Sequence, residues 1–84
     1  MSVAATDRIR QVLREHARLP VDVDTIDDHA DLFAAGMSSH ASVSVMLALE
    51  DSFDIEFPDT MLKRSAFESV AAIAAGLAEL GVPE

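Results

Sequence analysis

The chain contains no cysteine. Disulfides and thiolate zinc sites are therefore excluded, and cysteine usage leaves the redox compartment open. It also lacks any apolar run approaching the roughly 20 residues that span a bilayer. Its opening stretch, MSVAATDRIRQVLREH, is too charged and broken for a secretory leader. The expectation is a soluble, cytoplasmic protein. Bases are scarce too, six against 15 acids, for a net charge of −9. None falls between Leu19 and Leu62, where Asp22, Asp24, Asp27, Asp28, Asp31, Glu50, Asp51, Asp54, Glu56 and Asp59 all lie. Such a surface repels phosphate backbones, which argues against nucleic-acid binding. It suits protein partners with basic patches, mainly through encounter rate and orientation. The same excess also serves solubility, and charge alone does not separate the two.

What is present points to a folded domain. Half of the residues are hydrophobic, which disfavours disorder. A chain of 84 residues is expected to form one domain, 1–84. A domain of this size buries only about 60% of its unfolded surface, so it holds one thin core and no deep enclosed active site. There is no internal repeat and no low-complexity segment.

Hydrophobic spacing predicts helices. Over 3–18, Ala5, Ile9, Val12, Leu13 and His16 or Ala17 recur at helical spacing, with Thr6 and Asp7 suited to the first turns and Pro20 as the stop. Residues 19–36 form a long loop, with Val21, Val23, Ile26, Leu32 and Phe33 expected to tack it onto the core. A loop this long in a small domain suggests a function. A second helix is expected over 39–53, with Val45, Leu49 and Phe53 facing inward and Val43, Met46 and Leu47 widening its apolar surface. Pro58 and Asp59 open a short helix over 59–64. Ser65 and Glu68 read as a capping box for a last helix. Phe67, Val70, Ile73, Ala74, Leu77 and Leu80 make its buried stripe, and Gly81 and Pro83 end it. The fold class is all-α, a small bundle of three main helices plus one short helix, or loosely a four-helix bundle, with a long loop after the first helix.

The stretch GMSSH, residues 36–40, stands where the acidic loop meets the second helix. A nucleophile elbow needs Gly-x-Ser-x-Gly on a strand-to-helix turn. Here the second glycine is missing, no strand precedes, and His40 adjoins Ser39, a spacing at which helical neighbours do not face each other. The stretch DVDTIDDHADLF starts like a calcium loop but lacks the central glycine and has Phe33 where a bidentate Glu belongs. His16, His29 and His40 are scattered and read as solvent-facing or packed. No catalytic residue and no metal site is expected. Ser38 has the position of an N-cap, which leaves Ser39 without a capping duty. An exposed hydroxyl at a helix start, where unpaired N–H groups and the helix dipole favour a phosphate, is suited to modification by another enzyme.

These residues also carry a resemblance. DLFAAGMSSHASVSVMLALEDSFDIEFPD resembles the phosphopantetheine region of acyl carrier proteins, whose pattern runs Asp-Leu, Gly-x-Asp-Ser-Leu, a helix ending in Leu-Glu, then Phe-x-x-Glu-Ile-Pro-Asp. A gapless register through ALEDSFDIEFPD sets the family's modified serine on Ser39, and the likeness extends over about residues 5–80. Ser38 replaces the usual Asp and His40 the usual Leu, while Ala41 and Ser44 stand where fatty-acid carriers often have acids. The loop AGMSSH and the stretch DIEFPDTMLKR are more similar to the small aminoacyl carrier proteins charged by free-standing amino acid:[carrier protein] ligases related to seryl-tRNA synthetases.

The resemblance implies 4'-phosphopantetheine on Ser39 through a phosphodiester, installed by a phosphopantetheinyl transferase. It implies a ligase that activates glycine or alanine with ATP and magnesium and passes it to the thiol of the arm. The chain is then a monomeric carrier and no enzyme. The docking surface is expected at the start of the second helix, with His40, Val43 and Leu47 in apolar contact and Glu50 and Asp51 on the rim. Phe33, Phe57 and Phe67 are expected to leave little room for a sequestered acyl chain. A conventional acyl, polyketide or peptidyl carrier is the alternative, and an unmodified interaction domain is a third reading.

Overall fold

The structure, a computed structural model, describes residues 5–82. It contains three α-helices, α1 (Ala5–His16), α2 (Ser39–Phe53) and α3 (Val70–Glu79), and three short 3₁₀ segments at Val23–Thr25, Asp59–Met61 and Arg64–Phe67. No strand occurs among the described residues. The all-α class stands, but the fourth member of the expected bundle is a 3₁₀ turn, so the count of four helices is loose. No helix among the described residues is long and apolar enough to cross a membrane.

Helix α1 packs against both α2 and α3. Its Ile9 and Leu13 meet Leu32, Val45, Leu49, Val70, Ile73 and Leu77 in the fully buried centre of the core. The expected residues 3 and 4 of α1 lie outside the described residues. Asp7 in the first turn and Arg14 in the last complement the helix dipole. The helix stops at His16, ahead of Pro20, because Arg18 turns into the left-handed region with φ 55°. His16 is exposed and Ala17 takes the buried position.

The acids of the long loop fold it. Asp22 accepts from the Asp24 N–H at 3.0 Å, Asp27 from His29 at 2.8 Å and Asp31 from Phe33 at 2.9 Å, each a side chain closing a turn on its own backbone. Arg10 pairs with Asp28 and donates to the Val23 carbonyl at 2.7 Å, and Arg14 pairs with Asp24 at 2.9 Å. Backbone bonds from Leu32 to the Glu68 carbonyl (2.7 Å) and from Ala71 to the Asp28 carbonyl (2.8 Å) pin the loop to the start of α3. Val23, Ile26 and Leu32 are buried as expected, whereas Val21 is exposed. The alternating carboxylates are thus turn caps and ion pairs, and no cluster of metal-ligating side chains occurs among the described residues.

Helix α2 buries Ala41, Val45 and Leu49, and Phe53 is half-buried. Asp54, with φ 53°, ends it in the left-handed region. The start of α3 corrects the sequence expectation. Ser65 and Glu68 form no capping box. Residues 64–67 are 3₁₀, and Ser69 caps α3 by accepting from the Ala72 N–H at 3.0 Å. In a helix running from Ser65 the Glu68 carbonyl would accept from Ala72. It accepts instead from Leu32, so the Ala72 donor turns to the Ser69 hydroxyl. Phe67 enters the core edge-on to Phe57, with ring centroids 5.3 Å apart. At the other end, Gly81 (φ 90°) and Val82 donate to the Ala78 and Leu77 carbonyls, the paired bonds of a Schellman motif. Pro83 lies outside the described residues.

Candidate functional site

The loop delivers Ser38 and Ser39 to the surface from a buried anchor. Met37 is buried and donates to the Leu32 carbonyl at 3.0 Å, and Gly36 closes the preceding turn onto Phe33. Gly36 has φ 124°, and a Cβ there would lie 2.7 Å from Pro20 Cδ, so no other residue fits without displacement. Past this anchor the chain enters α2.

The two serines divide their duties. Ser38 is extended (φ −80°, ψ 163°), and its Oγ accepts from the Ala41 N–H at 3.0 Å. Ser39 is the first helical residue and is exposed, and its Oγ makes no hydrogen bond among the described residues. Its carbonyl accepts from the Ser42 hydroxyl at 2.6 Å, which occupies that third serine as well. Ser39 therefore offers an outward hydroxyl with no internal partner, beside first-turn N–H groups that helix geometry leaves unpaired.

An open groove of about 370 Å³ starts at Ser39. It is lined from α2 by Ser42, Val43 and Met46 and from the connection before α3 by Leu62, Lys63 and Arg64, with Phe33 and Phe67 also lining it. Phe57 and Phe67 are both buried in the core, and Phe67 and the half-buried Phe33 also line this open groove.

On α2, His40, Val43, Leu47 and Asp51 are all exposed, and their spacing sets them along one face, with Val43 50% and Leu47 56% exposed. Glu50 differs from its expected rim position. It is half-buried, and its carboxylate accepts from the Phe57 N–H at 2.8 Å, so it organises the turn after α2. The sequence reading missed Leu62, Lys63 and Arg64. The available signal was that Lys63 and Arg64 are the only bases after Arg18.

The exposed, unengaged serine and the groove beside it suit a phosphodiester-linked arm, because the hydroxyl is accessible and an apolar path leads away from it. A small helical domain presenting such a serine at the start of its second helix has the architecture of a carrier protein. The family model described as "Phosphopantetheine attachment site" matches residues 7–77, and the chain belongs to that family. Its prosthetic group is 4'-phosphopantetheine. More particularly, the chain is a homologue of aminoacyl carrier proteins. It is 57% identical over 65 residues to the aminoacyl carrier protein of Agrobacterium fabrum, covering 77% of this chain and 78% of that protein. Among solved structures it is similar, with TM-score 0.86 and 50% identity over 88% of this chain and 96% of the other, to a chain in the crystal structure of an engineered Bradyrhizobium japonicum glycine:[carrier protein] ligase complexed with carrier protein from Agrobacterium tumefaciens and ATP. A solution structure of an Agrobacterium tumefaciens protein matches with TM-score 0.71 and 50% identity, over 88% of this chain and 89% of that one.

Proposed function

We propose that Ser39 Oγ carries 4'-phosphopantetheine as a phosphodiester, and that the loaded carrier receives glycine or alanine from an ATP-dependent amino acid:[carrier protein] ligase. The observation that carries this reading is the contrast between the adjacent hydroxyls: the Ser38 Oγ accepts from the Ala41 N–H, and the exposed Ser39 has an Oγ with no hydrogen-bond partner among the described residues. The arm supplies the thiol that this cysteine-free chain lacks. The protein's own part is to present. Ser38 holds the first turn of α2, the Gly36–Met37 anchor fixes where the turn emerges, and no side chain acts on the reacting atoms. The chain is in this reading a substrate of its transferase and ligase, monomeric and cytoplasmic.

A ligase of this kind as partner is supported by the complex in which a carrier 50% identical to this chain accompanies a glycine:[carrier protein] ligase. The exposed α2 face offers the docking surface, with His40, Val43 and Leu47 as apolar contacts and Asp51 on the rim. A small aminoacyl group has little apolar surface to bury, at about 0.8 kcal/mol per CH₂. It therefore gains little from the groove and stays accessible. Since the groove leaves space for a short apolar chain, cargo choice rests with the ligase.

The test is to treat the purified chain with coenzyme A and a phosphopantetheinyl transferase and map the modified peptide. Glycine, alanine and a medium-chain acyl donor are then offered with their respective ligases at equal carrier concentration. The expected result is an arm on Ser39 and an aminoacyl thioester. Efficient acyl loading with no aminoacyl thioester would replace this reading with a conventional acyl carrier.

A further inference from the structure

Lys63 and Arg64 stand out in a chain whose acids outnumber its bases 15 to six. Arg10 and Arg14 are paired with carboxylates of the loop. Lys63 and Arg64 make no ion pair and no side-chain hydrogen bond among the described residues, although Asp59 and Glu68 lie close by in the chain. Both line the groove that Ser39 also lines. Arg64 is also positioned: its guanidinium carbon sits 4.0 Å from the centroid of the Phe33 ring, itself a groove residue. Stacking engages the guanidinium face and leaves its edge N–H donors for an oxyanion.

We infer that Lys63 and Arg64 form a cationic clamp for the phosphodiester of the arm on Ser39, fixing the direction in which the arm leaves α2. The inference rests on the attachment proposed above. A phosphodiester bears one negative charge shared by two free oxygens, a geometry the Arg fork meets in bidentate fashion and Lys meets as a point charge. The sequence is strongly acidic, so a new anion at Ser39 finds its attraction at these groove-lining cations and at the first-turn N–H groups of α2. Arg8 and Arg18 also make no ion pair among the described residues, but of these unpaired cations only Lys63 and Arg64 line the groove that Ser39 lines.

The experiment compares apo and holo protein of the wild type, a Lys63→Gln/Arg64→Gln double variant and an Arg18→Gln control, which removes a cation that does not line the groove. Peptide mapping first establishes the arm on Ser39 in each. NMR then follows the Arg64 side-chain Nε–Hε resonance, and thermal unfolding gives the holo-minus-apo difference in Tm. Arm attachment is expected to move the Arg64 resonance. The double variant is expected to lower the holo-minus-apo difference by about 2–4 °C at low salt, the scale set by an exposed ion pair in a domain of this size. That effect should fade near 1 M salt, where the screening length is about 3 Å. Arg18→Gln should leave the difference unchanged. An unmoved Arg64 resonance and an unaltered difference, with the arm mapped to Ser39, overturn this inference alone. An equal response in Arg18→Gln also overturns it, since bulk charge then explains the effect. If no arm maps to Ser39, the attachment reading fails and the clamp fails with it.

Discussion

The Glu50 carboxylate accepts a hydrogen bond from the Phe57 backbone N–H at 2.8 Å, across the turn that ends α2. The Asp54 and Ile55 N–H groups bond the Glu50 carbonyl, so both ends of this residue hold the reversal. The reversal brings Phe57 into the core against Phe67, whose neighbours Lys63 and Arg64 line the groove. Glu50→Ala should therefore destabilise the fold by about 1–2 kcal/mol, the scale of a charge-assisted hydrogen bond that remains partly solvated. Glu50→Gln, which keeps an acceptor, should lose less. Urea unfolding checks both, and an unchanged midpoint for the alanine variant would show that the turn holds without Glu50.

The serine pair should separate by substitution. Ser38→Ala removes the cap and should cost about 1 kcal/mol, while still accepting the arm. Ser39→Ala should abolish attachment with little change in stability. Intact mass and thermal unfolding on the same samples test this, and an arm mapped to Ser38 would refute the register.

The exposed apolar face of α2 predicts loss of loading without loss of fold. Val43→Asp and Leu47→Asp each replace a half-exposed side chain, so their unfolding midpoints should stay close to wild type. Aminoacylation by the ligase should slow by about tenfold or more if either side chain fills a partner pocket, which corresponds to about 1.4 kcal/mol or more. Wild-type rates in both variants would remove this face as the docking surface.

Gly36→Ala should destabilise the loop by about 1–3 kcal/mol, through its positive φ and the close approach to Pro20. The measurement is equilibrium unfolding. Full stability would mean that the Gly36–Pro20 contact yields without cost.

The two candidate caps of α3 give opposite expectations. Ser69→Ala should cost about 1 kcal/mol, because it strips the partner from the Ala72 N–H in a buried setting. Ser65→Ala lies on an exposed 3₁₀ segment and should fall within about 0.5 kcal/mol of wild type. A reversed order in the two unfolding midpoints would restore the capping box.

Much of the frame was legible in the residues. The bounds of α2, its inward Val45 and Leu49, the Ser38 cap and the stripe from Val70 to Leu77 all follow from spacing and end chemistry. Helical hydrogen bonds join residues four apart, so a short window contains both the pattern and its cause. The contrast between the two serines was legible in the same way, with Ser38 in the place of the cap and Ser39 left over. The family resemblance added what no spacing contains, namely which group such a serine bears.

The remainder depended on groups far apart in the chain. Whether α3 starts at Ser65 or at Val70 turned on the Glu68 carbonyl, which is claimed by Leu32 from the loop. Whether Glu50 sits on a rim or holds a turn depended on where the Phe57 N–H arrived after the reversal at Asp54. The carboxylates from Asp22 to Asp31 were ambiguous among metal ligands, solubilising charge and turn caps until Arg10, Arg14 and the loop's own backbone came within reach. That Lys63 and Arg64 line one groove together with Ser39 became visible only in the fold. Local periodicity determines which residues are helical and which face inward. Which donor meets which acceptor, and which charges are left facing each other, is decided by packing, because each polar group takes the partner that the tertiary fold brings within about 3 Å.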